Sequence, residues 1–109
     1  MRYAKLPATV TFDNQSAPGG KQSIDVGPLC DTLLLHPLAL KALGLFAVID
    51  LRAKMRAAAG GVVELSDQEH EVLRQVVERP ETLAPVVALS EEGFAFLRAI
   101  FDASPTKPE

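Results

Sequence analysis

The stretch VELSDQEHEVLRQVVERP, residues 63–80, decides the fold of this 109-residue chain, because it holds the end of a strand, a helix start and a helix stop in one run. Ser66 followed by Glu69 is an S-x-x-E capping box. The serine oxygen can accept from the Glu69 amide while the Glu69 carboxylate reaches back to the amide of Ser66. Asp67 adds negative charge to the first turn, where it complements the helix dipole. Val72, Leu73, Val76 and Val77 then recur at helical spacing, with Glu71, Arg74, Gln75 and Glu78 on the other side. Pro80 predicts a stop near Arg79. The spacing therefore predicts an amphipathic helix over residues 67–79, preceded by a short strand over 62–65. His70 and Glu71 are expected on its solvated flank.

The same run contains His70-Glu71-Val72-Leu73, one residue short of the H-E-x-x-H helix of zinc hydrolases. In that motif two imidazoles at i and i+4 reach one metal from one helix face. Here the i+4 position is Arg74, a fixed cation with no lone pair to donate. The remaining candidate ligands, His36 and Cys30, are isolated in sequence. No metal, nucleotide or other cofactor is expected. Gly20-Lys21 offers no P-loop either, since Gln22 replaces the Ser or Thr after the lysine and a strand follows instead of a helix.

Outward from this stretch, the composition fits one domain over residues 1–103 and a polar, proline-rich disordered tail over 104–109. With no tryptophan and six aromatic residues, the core must rest on Leu, Val, Ala and Ile. One cysteine excludes an intramolecular disulfide and fits a reducing compartment. The N-terminus MRYAKLPATVTF has no apolar signal region and no run reaches the roughly 20 apolar residues of a membrane span, so a cytoplasmic location is expected. The sequon Asn14-Gln15-Ser16 carries no weight in that compartment. Residues 1–63 hold seven Lys/Arg against four Asp, and residues 64–109 hold four against ten Asp/Glu. The halves are complementary, either within one chain or between copies.

Residues 8–12 and 22–26 alternate apolar and polar and predict a hairpin around Pro18-Gly19-Gly20, closed by Gly27-Pro28. With residues 62–65 as a possible third strand, it predicts one small antiparallel sheet. Asp31 and Thr32 predict a short helical turn that breaks at Pro37. Residues 38–59 read as the longest helix, stopped by Gly60-Gly61, with a stripe of Leu40, Leu43, Ala47, Leu51, Met55 and Ala58. Asp50 is spaced to pair with Lys54. Pro85 to Leu89 suggests a short helix, and Ser90 caps a last one over 91–103, whose stripe of Phe94, Leu97, Ile100 and Phe101 is expected in the core. The fold class is thus α+β, a small antiparallel sheet packed on three to four helices.

An enzyme needs a nucleophile, base or metal with a positioned partner, and two histidines and one cysteine are a poor inventory. Cys30 and His36 could form a thiolate pair, but a buried cysteine acting as a small hydrophobe is the simpler reading. A DNA-associated regulatory role would use the basic cluster Arg52, Lys54 and Arg56. It is the second choice, since the last helix opens on Glu91-Glu92 and approaches phosphates poorly. The excess of apolar residues on the helix from residue 38 to 51 favours a third class, a non-enzymatic module that self-associates or binds a protein through Leu38, Leu45, Phe46 and Ile49. The strings VELSDQE (63–69), within residues 62–103, and PATVTF (7–12) resemble those of small uncharacterised phage and prophage proteins. That resemblance implies an accessory or assembly factor and supplies no functional residues.

Overall fold

The structure is a computed structural model that describes residues 1–79 and 82–106. In chain order its elements are β1 (Arg2–Lys5), β2 (Thr9–Asp13), β3 (Lys21–Asp25), α1 (Val26–Leu34), α2 (Pro37–Leu43), α3 (Leu45–Ala57), β4 (Val62–Leu65), α4 (Asp67–Val77), α5 (Pro85–Ala88) and α6 (Glu91–Phe101). The α+β class holds, with more helices than the three to four expected.

The hairpin forms as the alternation requires. Strands β2 and β3 pair antiparallel with Val10 opposite Ile24 and Phe12 opposite Gln22. Val10 and Phe12 are buried while Thr9 is exposed. The third strand goes elsewhere. β4 pairs not with the hairpin but antiparallel with β1, Ala4 opposite Val63, making two separate two-stranded sheets. β1 is hard to see in the sequence because its one buried side chain is Ala4, flanked by Tyr3 and Lys5. What holds it is backbone. Leu6 N–H donates to Gly61 O at 2.8 Å beyond the β4 pairing, and on its other side Tyr3 exchanges two hydrogen bonds with Ser104 (2.7 and 2.9 Å). The chain is therefore tied down through Ser104, into the segment expected to be tail; residues 107–109 lie outside the described residues.

Two helix boundaries differ from expectation for backbone reasons. α1 starts at Val26, five residues before Asp31. Gly27-Pro28 does not terminate the hairpin but sits in the first helical turn, where amides have no intrahelical acceptor and proline loses nothing. The long helix predicted over 38–59 breaks at Gly44, whose φ of 87° and ψ of 160° lie in a region essentially reserved for glycine. Gly44 N–H still closes α2 on Leu40 O at 2.9 Å, and Gly44 O accepts from Val48 N–H at 3.0 Å to open α3. The stripe from Leu40 to Ala58 is thereby cut. α2 buries Ala39 against α4, while α3 buries Val48, Leu51 and Met55 against α1. Past α3, Gly60 takes a positive φ of 81°, as the stop signal predicted.

α4 begins with both halves of the capping box in place, Glu69 N–H to Ser66 Oγ at 3.1 Å and Ser66 N–H to Glu69 Oε1 at 2.8 Å. It buries Val72, Leu73 and Val76, and it ends at Val77; Pro80 lies outside the described residues. α6 is rotated relative to the predicted stripe. Gly93, Phe96 and Ile100 face the core, Leu97 and Phe101 are half-buried, and Phe94 is 57 % exposed. The cause is a close approach between α5 and α6. A Cβ on Gly93 would lie 1.9 Å from Val87 O, so glycine alone lets the helices meet there. No single helix among the described residues is long and apolar enough to cross a membrane; α1 and α2 together are, but they bend by 69° at their junction.

Candidate protein-interaction surface

The break at Gly44 sets what α3 shows to solvent. Val48, Leu51 and Met55 share its buried face, so by helical spacing Leu45, Phe46 and Ile49 point away from the core. They are 61 %, 81 % and 48 % exposed. Leu38 does not join them. It lies on α2, half-buried and packed on the core cluster, so three of the four candidate interface residues come together and the fourth serves packing. Asp50, one turn beyond Phe46, is exposed on the same side and makes no ion pair among the described residues.

The basic face of α3 is neutralised within the chain. Asp31, in the middle of α1, accepts from Arg52 Nε at 2.9 Å and from Arg56 through both carboxylate oxygens. The Arg56 hydrogen bonds, helped by Arg52, hold the Asp31 carboxyl below the usual carboxylate range. Lys54 Nζ donates to Glu69 Oε1 at 2.7 Å, so the capping-box glutamate also clips α3 to α4. Burial alone would raise the Glu69 carboxyl; the hydrogen bonds from Lys54 and Ser66 outweigh it and leave it below its ordinary value. The pairing of Asp50 with Lys54 expected from i,i+4 spacing does not form, because Lys54 turns toward α4.

The remaining titratable candidates are spent on structure. Cys30 is fully buried in α1, and burial, with the neighbouring Asp31 carboxylate adding to it, pushes its thiol up to about 12. His36 caps α2, its Nδ1 accepting from Leu38 N–H at 3.1 Å. His70 is not on a solvated flank. It is 8 % exposed and its Nε2 donates to Phe101 O at 3.0 Å, satisfying a carbonyl that the end of α6 leaves without a helical partner. Glu71 beside it is exposed, as expected, and pairs with Arg74 at 3.4 Å. Arg74 in turn lies over the Phe101 ring, 4.8 Å from its centroid. Among the described residues no group of three or more His, Cys, Asp or Glu is placed to hold a metal ion.

A second apolar surface was not legible as one. Val77 at the end of α4, Leu83, Leu89 after α5, and Phe94, Leu97 and Phe101 of α6 line a groove of about 290 Å³. Its rim carries Glu78, Arg79 and Arg98, with Arg98 already paired to Asp102 at 2.7 Å. Leu89 is 81 % exposed. The signal that could have found this groove is Gly93. Taking it with Phe96 and Ile100 as the buried stripe turns Phe94, Leu97 and Phe101 outward together.

The chain matches no family model, no curated protein and no solved structure.

Proposed function

We propose that this chain is a non-enzymatic protein-interaction module that acts as an assembly or accessory factor, of the kind carried by phages and prophages. It self-associates or binds a protein partner through the N-terminal face of α3. The observation that carries this reading is the exposure of Leu45, Phe46 and Ile49 side by side on one helix whose opposite face is already buried. Contiguous exposed apolar side chains are costly in water, and covering a few hundred Å² at about 25 cal/mol per Å² contributes several kcal/mol toward association. A nucleic-acid reading is supported less well, because Arg52 and Arg56 are engaged by Asp31 and Lys54 by Glu69. Phosphate binding would first have to break those pairs.

The test is sedimentation or light scattering of the purified chain beside Phe46→Glu, with a pull-down from the host lysate on each. The wild type should exceed monomer mass or capture a defined partner. Phe46→Glu should lose that association while keeping the far-UV spectrum and melting temperature of the wild type. A Phe46→Glu protein that associates as the wild type does would overturn the reading, as would one that unfolds.

A further inference from the structure

Two strand edges are closed by the chain itself, and that of β3 is not. On β2 the Thr11 N–H donates to Glu92 Oε1 at 3.3 Å, and on β1 Tyr3 exchanges its hydrogen bonds with Ser104. Val26 N–H to Ala8 O (3.0 Å) and Asn14 N–H to Gly20 O (2.9 Å) bracket the hairpin, so its even-numbered residues bond across it and its odd-numbered ones direct their backbone outward. The N–H groups of Lys21, Ser23 and Asp25 therefore point away from β2, and no acceptor meets them among the described residues. Such a row of open groups is a template for another strand. We infer that β3 is the pairing edge for a second copy of this chain, the two strands meeting antiparallel about Ser23 to join the hairpins into one four-stranded sheet. This contact is separate from the α3 face and does not depend on it.

Hydrogen bonding and charge select the same register. Centred on Ser23, the pairing sets each Ser23 N–H against the Ser23 O of the other copy, and each Asp25 N–H against the other copy's Lys21 O. The Asp25 carbonyl is left to α1, of which Asp25 is the N-cap residue. The side chains of Lys21 and Asp25 then lie directly across from one another, on the polar face where Ser23 Oγ meets Thr11 Oγ1 at 2.8 Å. Asp25 is exposed and has no ion-pair partner among the described residues. Lys21 reaches Asp13 at 3.2 Å with its side chain still 69 % exposed, so it can take a second carboxylate from the open side. Shifting the register by two residues sets one of these charges opposite Ser23 and the other past the strand end, and both ion pairs are lost. On the opposite face Gln22 falls across from Ile24, which is half-buried on the core and gains cover. The edge of β4 offers no such match, since VVEL, residues 62–65, has no cation to face Glu64. Exposed ion pairs are weak, so here they fix the register while the backbone supplies the contact.

A twofold contact closes at two chains. The test is sedimentation over a concentration series, carried out on Phe46→Glu so that the α3 face contributes nothing. That chain should reach the mass of two copies and no more. Adding Ser23→Pro removes the N–H at the twofold axis, on the side of β3 that β2 does not use, and should return it to a monomer with an unchanged circular dichroism spectrum. Lys21→Asp alone sets carboxylates opposite one another, and Asp25→Lys alone sets ammonium groups opposite one another; each should weaken the pairing roughly tenfold. Mixed in equal amounts, the two charge variants are complementary at both positions and should recover it as a mixed pair. Should Ser23→Pro unfold, this recovery decides the matter. A Phe46→Glu chain that is monomeric throughout overturns the inference and leaves the α3 face as the interaction surface. A folded Ser23→Pro variant that pairs like its parent overturns it too, as do charge variants whose mixture associates no better than either alone. A wild type that matches Phe46→Glu in mass and in captured partners defeats the α3 reading but leaves the β3 pairing standing.

Discussion

Replacing His70 with alanine tests how α4 and α6 are held together. The imidazole is almost fully enclosed, and its Nε2 donates to Phe101 O at 3.0 Å. Two losses follow its removal. The Phe101 carbonyl, in the last turn of α6, keeps no other donor among the described residues, and leaving a part-buried acceptor unsatisfied costs about 1–3 kcal/mol. The space left by the ring adds about 1 kcal/mol if the walls relax partly, as they do around most truncated core side chains. The total is about 2–4 kcal/mol, at the lower end if water reaches the carbonyl through the vacated space. For 109 residues at roughly 2.1 cal/mol/K each, the entropy of unfolding is about 0.23 kcal/mol/K, which converts that range to a fall in melting temperature of about 9–17 °C.

The assay is thermal denaturation followed by circular dichroism, with urea midpoints as an independent measure. His70→Gln is the informative companion. Its amide nitrogen can donate where Nε2 does, so it should recover a good part of the loss, whereas a purely steric role would favour an apolar replacement such as Leu. A His70→Ala shift below about 2 °C would refute the reasoning, because it would mean that less than about 0.5 kcal/mol hangs on the contact. The same result would restore His70 to the solvated helix surface its sequence context suggests.

Two further changes probe other joints of the fold. Gly93→Ala should destabilise the chain by about 1–3 kcal/mol and lower its urea midpoint, since the new methyl must push α5 and α6 apart at Val87 O; a neutral or stabilising effect, normal for glycine to alanine in a helix, would show that the helices do not meet so closely. Acid should weaken the fold through Asp31 and Glu69. Both carboxyls sit lower in the fold than their ordinary 3.8 and 4.5, so the folded chain binds fewer protons; their contribution is complete above the unfolded values and is lost as the pH falls through the folded ones. Urea midpoints should hold from about pH 7 to 5 and decline below about 4.5, and Asp31→Asn should shallow the decline; a midpoint that rises on acidification would contradict the pairing.

What was legible in the sequence tracks where the determining interaction is local. The capping box, the hairpin alternation and the Gly60 stop each lie within a few residues of one another, and each forms as read. Apart from the early start of α1 and the break at Gly44, which are local, the differences from expectation are long-range. β4 chose β1 over the hairpin because of backbone pairing across some sixty residues, with Ala4 as the sole buried side chain on the N-terminal strand. His70 looked like surface because its acceptor, Phe101 O, is thirty-one residues away. Lys54 ignored the i+4 carboxylate of Asp50 for Glu69 on another helix. The α6 face differs from expectation for a steric reason: large aromatic side chains suggest the core, but the contact with α5 is set by Gly93, the smallest residue available, and Phe94 is turned out.

Gly44 joins the fold to the proposed function. As one continuous helix, residues 38–59 would spread their apolar residues around most of its circumference, and no single orientation could bury them. Breaking it with a residue that tolerates a φ of 87° separates the problem into two. α2 satisfies Ala39 and Leu38 against α4 and the core, and α3 satisfies Val48, Leu51 and Met55 against α1. The break costs helix continuity, and a glycine at such a position also gives up more chain entropy than any other residue. Even so, α3 can bury only one of its two apolar faces, and turning Phe46 inward would turn Val48, Leu51 and Met55 out. The break therefore leaves Leu45, Phe46 and Ile49 together on the outside, at the start of a helix anchored to α1 and α4 by the Asp31 and Glu69 ion pairs. An apolar face held on a rigid support loses little conformational entropy when it is covered. That combination, an unburied face on a fixed helix, is what an interaction surface requires and a core does not.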